Sequence, residues 1–147
     1  MKILIDADGC PVTHITVNEA KKRKIEVLVF SDTSHIFDID GAESITVDKG
    51  SDSADFAIAN KAGKGDLVVT QDYGLASMCL AKGARALRQD GVFYKEENID
   101  FLLAGRYETK KALKSGAKIK GPKKRTKEDD EAYKKALISF LDMEERL

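Results

Sequence analysis

The residues with the clearest chemical potential are aspartates that follow short apolar runs. Ile3-Leu4-Ile5 leads into Asp6-Ala7-Asp8-Gly9, which places two carboxylates at alternate positions. Leu67-Val68-Val69-Thr70-Gln71 leads into Asp72, and Asp52 and Asp55 stand three apart, on one face of a helix start. Carboxylates brought together repel one another, and the repulsion must be relieved by a cation or a proton. An all-oxygen donor set with no neighbouring His or Cys suits a hard ion, Mg²⁺ or Mn²⁺. Such ions serve phosphodiester hydrolysis by holding the nucleophilic water and neutralising charge on the scissile phosphate. Asp6, Asp8, Asp55 and Asp72 are therefore the candidate catalytic residues, and together with Asp52 they are the candidate metal ligands.

Most of these aspartates also have a structural explanation. Asp8-Gly9 can cap the helix that follows, Asp72 can cap a helix beginning near Tyr73, and a helix dipole favours Asp52. Asp55 lies further inside its helix and is explained less easily in that way. The other polar residues are weaker candidates. His14 and His35 have no partner at ligand spacing, Cys10 is close to the acidic strand end but lacks a base, and Cys79 reads as a core position. Neither a GxxxxGK[ST] nor a GxGxxG phosphate loop is present.

The elements that must position these groups follow from the hydrophobic pattern. Nearly continuous apolar runs at Lys2–Ile5, Ile25–Phe30, Ser44–Val47 and Leu67–Thr70 predict parallel strands covered on both faces. Helical patterns lie between them at Pro11–Lys22, at Ser51–Ala62 with Ser51 as N-cap and Gly63 as stop, and at Tyr73–Lys82 ending at Gly83. The alternation predicts an α/β, doubly wound sheet with right-handed crossovers and helices on both faces. In such a sheet ligands bind beyond the carboxyl ends of the strands, at a switch point that the first strand commonly borders. Ala84–Leu87 reads as one more strand, followed by a turn at Gln89-Asp90-Gly91, a short Val92–Tyr94 stretch and helical sequence from Glu96 to about Lys114.

The chain of 147 residues fits one domain, with 42% hydrophobic and 34% charged residues, a balance that excludes disorder and fibrous classes. It contains no apolar run long enough for a membrane span, and the early Asp6 argues against a signal-peptide core. Two cysteines without CxxC spacing suit a reducing cytoplasm. The formal charge of zero conceals an uneven distribution. Residues 1–104 carry 12 cations against 17 carboxylates, residues 105–127 carry 10 against 1, and residues 128–147 carry 3 against 7. The basic block, with Lys110, Lys111, Lys123, Lys124 and Arg125 as its main candidates, can contact successive phosphates of a nucleic acid, although charge runs are usually only solvated surface. Residues 115–125 read as a basic loop. Residues 126–146 read as a final amphipathic helix, with Thr126 and Asp129 forming a capping box and Ala132, Ala136, Leu137, Phe140 and Leu141 an apolar stripe. Homo-oligomerisation is left open by the sequence.

Asp6-Ala7-Asp8-Gly9-Cys10-Pro11-Val12, Asp52-Ser53-Ala54-Asp55, Gly65-Asp66-Leu67-Val68-Val69-Thr70-Gln71-Asp72, Glu96-Glu97-Asn98-Ile99 and Gly121-Pro122 resemble, in order, the bacterial YaiI/YqxD family of unknown function. The resemblance spans nearly the whole chain. It implies a three-layer α/β/α PIN-like domain with strand order 3-2-1-4-5, a nuclease-type fold whose active members use clustered acidic residues and Mg²⁺ or Mn²⁺ to cut RNA or other nucleic acids. By position, Asp6 corresponds to the acidic residue ending the first PIN strand, Asp55 to that in the central helix and Asp72 to that after the fourth strand. Asp8 and Asp52 belong to the narrower family's pattern. Two alternatives stand beside this expectation. An opening strand followed by Asp-x-Asp-Gly also resembles haloacid-dehalogenase-type phosphatases, although their later Gly-Asp follows a strand, whereas Gly65-Asp66 precedes one. A metal- or RNA-binding module that has lost turnover is the non-enzymatic alternative.

Overall fold

The computed structural model describes residues 1–32, 38–49, 53–99 and 124–146. Five strands form one sheet in the order β3-β2-β1-β4-β5. They are β1 (Lys2–Asp6), β2 (Glu26–Asp32), β3 (Glu43–Val47), β4 (Leu67–Val69) and β5 (Arg85–Leu87). All four strand pairings are parallel, with Ile5 opposite Val29 on one side and Val69 on the other. The alternation of strands and helices is therefore that of a doubly wound α/β sheet, as the sequence pattern leads one to expect.

The strand pleat sends successive side chains to opposite faces and so divides the core in two. Ile3, Ile5, Val27, Val29, Leu67, Val69 and Leu87 face α1 (Thr13–Lys22) and the C-terminal helix α4 (Lys127–Glu145). Leu4, Leu28, Phe30 and Val68 face α2 (Ser53–Lys61) and α3 (Tyr73–Ala81). The result is three layers. From β1 the chain steps one way to β2 with α1 on one face, then crosses to β4 and β5 with α2 and α3 on the other face. The exchange of faces keeps the crossovers of one hand and leaves a switch point between β1 and β4.

Local chemistry sets the element ends. Asp72 caps α3 by accepting from the Leu75 N–H at 3.0 Å. Thr126 and Asp129 form the reciprocal capping box of α4. Helix α1 starts at Thr13 rather than at Pro11, with Val12 as an N-cap that supplies no side-chain bond. It ends in a Schellman motif, Ile25 N–H to the Ala20 carbonyl and Lys24 N–H to that of Lys21, with Lys24 at φ 56° where glycine is usual. Ser51, expected as the N-cap of α2, lies outside the described residues.

Two expectations from pattern are corrected. Edge strand β3 is covered on one face only, with Ile45 and Val47 packed against the α2/α3 layer and Ser44 and Thr46 exposed. The stripe of α4 is centred on Tyr133, Leu137, Phe140 and Leu141, and Ala132 is exposed. Tyr133 is fully buried because Thr16 of α1 gives its hydroxyl a partner at 2.6 Å. Residues 96–99 are helical, and the rest of the helix expected to about Lys114 lies outside the described residues.

Candidate active site

The carboxyl end of β1 opens into a tight turn. Cys10 N–H closes on the Ala7 carbonyl at 3.0 Å, and Gly9 holds φ +72°, the left-handed conformation that favours glycine. The turn leaves Asp6 half-buried at the strand end and Asp8 exposed beyond it. Neither residue caps α1. Asp8 Oδ2 accepts from the Asp32 N–H at 3.0 Å and so ties the turn to the end of β2.

On the other side of β1, Thr70 follows β4. Its hydroxyl donates to Asp6 Oδ2 at 3.0 Å and accepts from the Asp72 N–H at 3.0 Å. The backbone carbonyl of Thr70 accepts from the buried Tyr94 hydroxyl at 3.1 Å, which fixes the β4 end from the outside. Asp6, Asp8, Gly9, Cys10, Val69, Thr70, Gln71 and Gln89 line one small open cleft of about 40 Å³ at the switch point. Burial pushes the Asp6 carboxyl above the usual carboxylate range; the Thr70 hydrogen bond opposes this, and the charges of Asp72 and Asp8 add to it. Burial likewise raises the Cys10 thiol, which stays protonated beside the carboxylates.

The sequence-predicted residues are thus brought together only in part. Asp6 and Asp8 share the cleft, and Asp72 acts on Asp6 through its charge while its own carboxylate caps α3. Asp55 lies in the first turn of α2, where its charge is felt by Cys79 of α3, and it is not among the residues lining the cleft. Asp52, Lys110, Lys111, Lys123 and His35 lie outside the described residues. Lys124 is exposed, and Arg125 pairs with Asp130. Asp66, quoted above as part of a motif, sits at the opposite end of the sheet. It accepts from Lys2 N at 3.0 Å, Lys2 Nζ at 2.7 Å and Gly63 N at 2.9 Å.

Thr70 and Gln89 escaped the reading of the sequence. A threonine two residues before an aspartate at a strand end is a usable signal for the first. Nothing local marks Gln89, because the fold alone returns the turn after β5 to the cleft.

The carboxylates fit a hydrated hard cation better than a closed cage. Mg²⁺ keeps several waters and takes one or two protein carboxylates, and Asp6 with Asp8 supplies that number. Among the described residues, no group of three His, Cys, Asp or Glu side chains could hold an ion together.

Fold and cleft together define a doubly wound α/β protein with an acidic site at the switch point. The family model described as uncharacterised bacterial, YaiI/YqxD family, matches residues 4–143, and the chain belongs to that family. Similar proteins, each bearing the name UPF0178 protein, occur in Exiguobacterium sibiricum (45% identity, covering 96% of both chains) and Ruminiclostridium cellulolyticum (47%, covering 96% of this chain and 92% of the relative). Another occurs in Alkaliphilus oremlandii (48%, covering 97% and 92%). No solved structure matches the chain significantly.

Proposed function

We propose that this chain is a PIN-like, Mg²⁺- or Mn²⁺-dependent nuclease that hydrolyses phosphodiester bonds of RNA in the cytoplasm. One observation carries the reading: Asp6 is held at the cleft by Thr70 under the like charges of Asp8 and Asp72, a repulsion that a divalent cation relieves. Asp6 and Asp8 would hold the ion, Asp72 would lend its charge, and Asp52 and Asp55 complete the acidic set that the resemblance implies. When bound, the ion would supply a water nucleophile and neutralise phosphate charge. The basic block around Lys110, Lys111, Lys123 and Lys124 is the electrostatic track for the backbone. The free thiols of Cys10 and Cys79 accord with a reducing compartment. No described helix is long and apolar enough to cross a membrane.

The phosphatase alternative keeps its opening Asp6-Ala7-Asp8-Gly9 but gains no later carboxylate from Asp66, which is held by Lys2 and Gly63 at the opposite end of the sheet. The test is incubation of the purified protein with single-stranded and structured RNA and DNA in Mn²⁺ or Mg²⁺, beside Asp6→Asn and Asp72→Asn. Metal-dependent cleavage of RNA that both substitutions abolish is the expected result. Release of phosphate from small phosphomonoesters, with no nucleic acid cut, would establish the phosphatase instead. RNA binding without turnover would identify an inactive binding module. Such binding should weaken with salt, and replacing Lys123 and Lys124 by Gln should lower the salt slope by about 2.

A further inference from the structure

We propose that Arg125 is a positioning residue for the acidic cleft, acting through the turn that brings Gln89 to the cleft wall. The inference rests on the cleft being the working site. Arg125 precedes α4 and its side chain is three-quarters buried. Its Nε donates to Asp130 Oδ1 at 2.7 Å and its terminal nitrogen to the Gln89 carbonyl at 2.9 Å, so one planar group joins the first turn of α4 to the turn after β5.

That turn is gripped on both sides. Arg88 forms an ion pair with Asp90 and reaches the hydroxyl of Tyr73, the first residue of α3, at 3.5 Å. Gly91, at φ +87°, lies so close to α4 that a Cβ there would stand 2.9 Å from the Ala132 carbonyl oxygen. Between these two anchors Gln89 faces the cleft together with Asp6, Asp8 and Cys10. The link from Arg125 to the cleft therefore runs through the Gln89 backbone, whose carbonyl it holds while the Gln89 residue lines the cleft. Two acceptors on separate elements call for a rigid fork of donors, and a lysine ammonium cannot serve both in one plane.

Cys10, on the same cleft, reports whether the wall is closed, and Cys79, fully buried on the inner face of α3, reports global opening. The experiment measures iodoacetamide modification of each thiol in the full chain as a function of pH, resolved by peptide mass, and compares the rates of the ionised thiols, so that loss of the Arg125 charge and opening of the wall are read apart. Arg125→Gln should modify Cys10 about five-fold faster while Cys79 keeps its wild-type rate, and Arg125→Lys should restore only part of the protection. A wild-type Cys10 rate in Arg125→Gln would overturn the proposal. So would a parallel rise at both thiols, or full rescue by lysine, which would leave only a charge or a general stabilising role. The measurement needs neither RNA nor metal, so an inactive wild-type protein would refute the nuclease reading without affecting this result.

Discussion

The Thr70 hydroxyl stands 3.0 Å from the Asp6 carboxylate and donates its proton to it, while the same oxygen receives the Asp72 N–H. A single side chain therefore couples the ends of β1 and β4 across the switch point. It favours ionisation of Asp6 against burial and two neighbouring charges.

Thr70→Val removes this link. The Asp6 carboxyl should move further above the usual range, and the Asp72 N–H loses its acceptor. The expected cost is about 1–2 kcal/mol of stability. Carboxyl titration by NMR together with denaturant unfolding checks both effects.

Asp6→Asn should behave oppositely at neutral pH. A carboxyl whose pKa is raised on folding stabilises the protein when protonated, and that contribution is lost as pH rises through the folded value. The amide keeps an acceptor for Thr70 and removes the buried charge, so the variant should be more stable than wild type at pH 7 by on the order of 1 kcal/mol. The difference should vanish in acid, below the unfolded carboxyl value. Thermal melts across pH without added metal measure this, and an unchanged or lower melting temperature at pH 7 would contradict it.

Asp66→Ala should destabilise without touching the cleft. Burial would raise its carboxyl, but the bonds from Lys2 and Gly63 outweigh that and hold it below the usual range. This contribution is present above the unfolded carboxyl pKa and is lost as pH falls through the folded one. The substitution leaves two backbone donors and Lys2 without their partner, for a loss of about 2–3 kcal/mol. Urea unfolding at pH 7 reads it, and the penalty should shrink as the pH is lowered through the carboxyl range.

Lys24→Gly should stabilise the chain. Lys24 occupies the left-handed position that closes α1, and glycine takes that conformation without a Cβ penalty. A gain of about 0.5–1 kcal/mol is expected, visible as a higher midpoint in denaturant with an unchanged slope.

The sequence by itself determined the layered α/β class, because buried parallel strands leave runs such as Ile3-Leu4-Ile5 and Leu67-Val68-Val69 that no solvated element carries. It also determined the capping of α3 and α4, since Asp72 and the Thr126/Asp129 box act within a few residues of themselves. The pairing of Asp6 with Asp8 was legible for the same reason, both being set by one strand end and the turn at Gly9. Tertiary structure decided the rest. Asp6 and Asp72 look alike in sequence, each following an apolar strand, yet Asp6 lines the cleft while the Asp72 carboxylate is turned to the α3 N-terminus, and only the packed structure shows which of the two lines the cleft. Tyr133 enters the core, and Ala132 does not, because a hydroxyl on α1 satisfies the phenol. Gln89 joins Asp6 in the cleft, and Arg125 holds the Gln89 carbonyl, across gaps that no local pattern spans, because the winding of the sheet returns the turn after β5 to the switch point and sets it against the start of α4.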